Sequence, residues 1–131
     1  MKLFYTSILI LYYLLPAVQT TDPVNRVAEL IKQGNIHGLS KLFAPNVEVT
    51  LMEDDNVYSK AQAGLILDKF FNQHKPKAVK MLHRINSNPN YRFGVLIVNT
   101  GKDTFRVAFT LKETDGSLML IEFRIETEKV K

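Results

Sequence analysis

Cysteine and tryptophan are absent from this chain of 131 residues. Without cysteine there is no disulfide, no thiolate metal ligand and no cysteine nucleophile, so an apolar core must hold the fold by itself. Carboxylates are missing from one whole stretch: between Asp68 and Asp103 the seven basic side chains Lys69, Lys75, Lys77, Lys80, Arg84, Arg92 and Lys102 meet no acid. Such a run predicts a basic edge, read as a solvated surface or as a face for an acidic partner or an anionic envelope surface. Glycine-rich phosphate loops, His-Glu-x-x-His and Gly-x-Ser-x-Gly are also lacking. Asp54-Asp55-Asn56 has neither the following glycine nor the distal glutamate of a calcium loop. The three histidines, His37, His74 and His83, fall on separate elements without ligand spacing. No metal and no cofactor is therefore expected, and the composition excludes collagen-like, disordered and disulfide-scaffold classes.

What is abundant lies first at the amino terminus. Fourteen of the first 20 residues are hydrophobic, with a nearly unbroken run from Leu3 to Leu15 behind Lys2 and before Pro16. Thirteen helical residues reach about 20 Å, short of a hydrocarbon core of about 30 Å. Residues 1–20 therefore read as a secretory signal peptide rather than a spanning anchor, with Val18 and Thr20 the best small-residue pair before a cut. The expected location is periplasmic or extracellular, and contact with a membrane is expected only through this segment. Residues 21–131 then form one domain of ordinary size. Lys2 is one of 17 basic residues, so this part keeps a net charge of only +3, too little to imply nucleic acid.

Along that domain, Asp22-Pro23 opens a helix, with Val24, Val27, Leu30 and Ile31 at helical spacing and Gly34 ending it. Ile36, Leu39, Leu42 and Phe43 predict a second short helix closed by Ala44-Pro45-Asn46. Residues 47–52 alternate as a strand up to the turn Glu53-Asp54-Asp55-Asn56, followed by a stub strand at Val57-Tyr58. Ser59-Lys60-Ala61-Gln62 matches a capping box and opens a third helix with the stripe Ala63, Ile66, Leu67, Phe70 and Phe71. After Pro76, four strands are expected at residues 78–85, 91–99, 105–113 and 118–126, joined by hairpin turns. The whole reads as α+β, about three helices packed on one face of a curved antiparallel sheet.

This order of elements resembles the nuclear transport factor 2-like cone. Several stretches narrow it: residues 46–51 (Asn-Val-Glu-Val-Thr-Leu), 57–63 (Val-Tyr-Ser-Lys-Ala-Gln-Ala), 68–71 (Asp-Lys-Phe-Phe), 105–109 (Phe-Arg-Val-Ala-Phe) and 124–126 (Arg-Ile-Glu). Together they are similar to a family of exported bacterial proteins known as domain of unknown function 4783, over essentially the whole chain after the leader. One departure is local: His83-Arg84-Ile85-Asn86 stands where the family usually has a glycine shortly after the strand histidine. The resemblance implies the fold and an export route, and no activity.

Parity along the strands assigns one face to Val79, Met81, His83, Ile85, Tyr91, Phe93, Val95, Ile97, Phe105, Val107, Phe109, Leu111, Met119, Ile121, Phe123 and Ile125. Taken as the inside of the cone, this face predicts an apolar pocket with His83, Tyr91 and Phe93 as candidate binding residues and Tyr58 at its mouth. His83 and Tyr91 also read as structural groups bonded locally. Glu48 falls opposite Val47, Val49 and Leu51, and turns inward only through a slip or bulge. The other face carries Leu82, Leu96, Val98, Leu118 and Leu120 as a candidate interface, with Arg106 and Arg124 among Glu122 and Glu126. Two functions follow: an exported non-catalytic domain that binds an apolar small molecule or pairs as a homodimer through the outer sheet, or a cone-pocket isomerase or dehydratase using His83 with Tyr91 or Glu48.

Overall fold

The structure is a computed structural model that describes residues 22–129. The expected leader, and the cut near Thr20, lie outside the described residues. The first helix, α1 (Pro23–Lys32), begins where the Asp22 carboxylate accepts the Val24 backbone N–H at 2.9 Å and Pro23 supplies a preset first-turn φ. Gly34 then takes φ +70°, a left-handed turn that ends the helix cheaply. Asn35 caps the short α2 (Ile36–Ser40) through Gly38 N–H at 2.8 Å.

The second helix is shorter than its spacing predicts. Phe43, Ala44, Pro45 and Asn46 belong to β1 (Phe43–Leu51), not to a helix and its closing turn. An irregularity between Phe43 and Glu48 in the pairing with the last strand absorbs Pro45, which cannot donate to a ladder. Leu51 pairs with Asp54, so the loop is only Met52-Glu53, with Met52 at φ +57°. The acidic residues expected in the turn thus begin a real strand, β2 (Asp54–Ser59). The N-cap half of the expected capping box forms: Ser59 Oγ accepts the Gln62 N–H at 3.3 Å and opens α3 (Lys60–Gln73), while the Gln62 side chain accepts from the Ser59 hydroxyl at 3.4 Å. Ala63, Leu67 and Phe71 are its buried face.

Four strands follow: β3 (Ala78–Asn88), β4 (Tyr91–Asn99), β5 (Thr104–Thr114) and β6 (Ser117–Thr127). Asp115 and Gly116, both at positive φ, make the last hairpin turn. The six strands form one curved sheet in the order β2-β1-β6-β5-β4-β3. All neighbours are antiparallel except β1 and β6, which run parallel because the chain returns to β1 from the far end of the meander.

The helices cover one face, and the cone between them and the sheet is filled by side chains. Phe43, Phe109, Phe123, Ile31, Leu39 and Leu67 are all essentially inaccessible. Edge-to-face rings tie helix to sheet, with Phe71 against Phe123 at 6.4 Å and Phe70 against Phe105 at 5.2 Å. Gly94 marks how tightly α1 and the sheet close: a Cβ there would stand 2.5 Å from the Phe109 ring and 2.9 Å from Val24 Cγ1.

Candidate functional site

Register determines which side chains share a face, and it reverses part of the parity expected from the sequence. Leu96 pairs with Val107 and Val98 with Phe105, so both lie in the core and are fully buried. They are not interface residues. Leu120 is likewise fully buried and Leu118 packs against the core, because an extra residue, Ile121, falls in β6 between the pairs Leu111–Leu120 and Thr110–Glu122. Each bulge shifts the alternation by one. Leu82 occupies the corresponding extra position in β3, between Met81–Leu96 and His83–Val95, and is 37% exposed.

The Leu82 bulge moves His83 to the other side, while β4, which pairs with β5 without a shift, turns Tyr91 and Phe93 outward. Val79 and Met81 pack on the core, but after the Leu82 bulge His83 pairs with Val95 and Ile85 with Phe93 on the outer face. His83 is exposed, Phe93 is half-buried and Tyr91 is 47% exposed, all outside the cone. Tyr58 alone of the four packs against the core, from β2 beside the cap of α3. Glu48 does face away from Val47 and Val49, on the same outer face as His83. Four strand spacings of about 4.8 Å separate β1 from β3, so Glu48 and His83 stand roughly 19 Å apart and cannot share one substrate atom.

The outer face divides into two strips. One is apolar: Ile85, Phe93, Val95, Ile97 and Ala108 on β3, β4 and β5. The other is ionic and centres on β6. Arg106 donates from Nε to Glu128 at 3.0 Å, and Arg124 donates to Glu126 at 3.0 Å. Arg106 is in register with Glu126, yet its guanidinium reaches Glu128, just past the end of β6. Between the strips runs a groove of about 380 Å³ lined by His83, Phe93, Val95, Arg106, Ala108, Glu122, Arg124 and Glu126.

Glu48 lies at the acidic margin of this face, directly across from Glu122 on β6 and beside Asp55 on β2. Its carboxyl is held above the ordinary glutamate range, first by the charge of Asp55, then by burial and by Glu122, with Arg124 opposing. Asp55 is fixed there by Thr50, whose hydroxyl donates to it at 3.0 Å.

Two arginines that alternation places outside turn inward instead. Arg84 pairs with Gly94 in register, Nη1 lies 3.2 Å from Asp22 and donates to Asn25 at 2.7 Å. Arg92 lies 4.0 Å from the same carboxylate, and Asn86 donates to it at 2.8 Å. The Arg92 Nε and Asn86 Oδ1 are buried without a protein partner. Sequence reasoning missed this cluster, although Gly94 signals it: a glycine inside a strand marks close approach, so its parity, shared by Arg92, Leu96 and Val98, belongs to the helix side.

Two further depressions lie between α2 and α3, about 500 Å³, and between α1 and β3, about 250 Å³. Neither these nor the outer groove is lined by Leu67, Phe109 or Phe123 in the centre of the cone. Among the described residues, no three histidine or acidic side chains converge as a metal site, and no helix is long and apolar enough to cross a membrane.

No curated protein matches this sequence. Solved structures do: a protein from Bacteroides uniformis ATCC 8492 aligns with TM-score 0.78 at 20% identity, covering 83% of this chain and all of its own. A second, from Bacteroides ovatus ATCC 8483, gives 0.75 at 20% identity over 86% of this chain and all of that one. Both are described as DUF4783 family proteins. A protein described as Rd1NTF2_04 with long sheet aligns at 0.61 and 16% identity over 78% of this chain and 98% of its own, consistent with an NTF2-like cone. Residues 24–126 match the family described as Domain of unknown function (DUF4783), and the chain belongs to that family.

Proposed function

We propose that this protein is an exported, non-catalytic interaction domain that acts through the outer face of its sheet by pairing with a second copy. The observation that carries the reading is the division of that face into an apolar strip, Ile85, Phe93, Val95 and Ile97, beside a strip bearing both signs of charge. Acids collect at one side, Asp55 on β2, Glu48 on β1 and Glu122 on β6, whereas Lys80 and His83 stand on β3 at the opposite edge. A two-fold axis along the strands and close to β4 lays the apolar strip of one copy on that of the other. The packed centre of the cone adds support, because it directs binding to the outside. Export rests on the run from Leu3 to Leu15.

Sedimentation velocity of residues 21–131 tests the pairing, with a dimer expected for the native sequence and a monomer for Phe93→Asp. A second reading is supported by the size of the outer groove, which falls within the range of small-molecule sites. Native mass spectrometry separates the two, since an apolar ligand adds a small fixed mass to a monomer. Export is tested by amino-terminal sequencing of the protein recovered from outside the cytoplasm, with a start near Thr21 expected.

A further inference from the structure

The two edges of the sheet carry opposite charge, and the geometry points to edge-to-edge pairing between copies, β2 of one chain against the first half of β3 of the next. This contact runs along the strand edges and does not rest on outer-face pairing, although Asp55 and Lys80 border both surfaces. At one edge, Glu53, Asp54 and Asp55 are exposed and no basic residue lies between Lys41 and Lys60. At the other, Lys75, Lys77 and Lys80 are exposed and no acid lies between Asp68 and Asp103. Both strands are terminal in the sheet, so each presents a row of backbone N–H and C=O groups with no strand beyond it.

Length and charge select the partner. The bulge at Leu82 interrupts the regular ladder of β3, leaving Ala78–Met81, with Lys77 just before it, as the straight stretch that faces the short β2 (Asp54–Ser59). Lysines on one edge and aspartates on the other oppose β3–β3 and β2–β2 contacts, because like charges across a new ladder repel. Only the unlike pairing remains, and there the same charges attract. Since it joins two different surfaces, the contact is head-to-tail and builds open chains of copies rather than a closed pair.

The test uses Phe93→Asp protein, residues 21–131, so that outer-face pairing is removed and cannot contribute. Sedimentation velocity is run at about 0.01 M salt, where charges are screened over about 30 Å, and at about 1 M, where the length is about 3 Å. A sedimentation coefficient that climbs with concentration at low salt, and loses that climb at high salt, is expected. Lys77→Glu with Lys80→Glu abolishes the climb, as does Asp54→Lys with Asp55→Lys, while mixing the two variants restores it through their opposite edges. A coefficient independent of concentration at low salt overturns the proposal, and so does a mixture that fails to associate.

Discussion

Glu48 on β1 and Glu122 on β6 face each other across the parallel pairing, and Asp55, which pairs with Thr50, is the diagonal neighbour of Glu48 on β2. Like charges opposed in a sheet destabilise it. The elevated Glu48 carboxyl follows, from Asp55 first, then burial and Glu122. Because its folded value lies above the unfolded one, the native state holds the proton more tightly, and stability falls as pH rises from the ordinary glutamate range through the folded value. Glu48→Gln removes the titrating group. Thermal melts should show a higher midpoint than the native protein above this window and a flatter dependence on pH across it.

Gly94 should tolerate no side chain. A Cβ meets the Phe109 ring and Val24 at distances real side chains do not adopt, so Gly94→Ala forces α1 away from the sheet. Overpacking of this kind costs about 1–3 kcal/mol, to be read as a lower midpoint in urea denaturation. Gly116→Ala, with open space around it, offers a contrast in which only the positive φ is penalised.

Asp22 joins a helix start to the β3–β4 hairpin. Asp22→Ala loses the cap on Val24, about 0.5–2 kcal/mol, and releases Arg84 and Arg92. The Asp22–Arg84 contact is partly exposed on both sides, so a double-mutant cycle with Arg84→Ala should return a coupling of only about 0.2–1 kcal/mol. Ser59→Ala should cost about 1 kcal/mol through the other cap, independently, since the two sites share no partner.

Local chemistry was legible in the sequence wherever a short stretch decides structure by itself. Asp22-Pro23, the Ser59–Gln62 box and the Asp115-Gly116 turn all act where expected, and β4 takes the expected bounds at both ends. Faces were harder. From Phe93 to Val98 every residue but Gly94 is apolar, so alternation alone cannot tell Val95 and Ile97 from Leu96 and Val98. The extra residues Leu82 and Ile121 then change parity within β3 and β6, and nothing in the spacing of apolar residues announces a bulge. As a result His83, Tyr91 and Phe93 moved from the expected pocket to the outer face, while Leu96, Val98 and Leu120 moved into the core. Phe43 misled in the same manner, fitting a helical stripe after Leu39 while the structure uses it to start a strand.

Phe93 is the residue on which the outer-face account depends, since it is the large aromatic of the apolar strip, lies between Ile85 and Thr110, and borders the groove. Sedimentation velocity of residues 21–131 at high salt, where edge pairing is screened, tests the account directly. A dimer for the native sequence and a folded monomer for Phe93→Asp are predicted. A native sequence that sediments as a monomer at every concentration would contradict it.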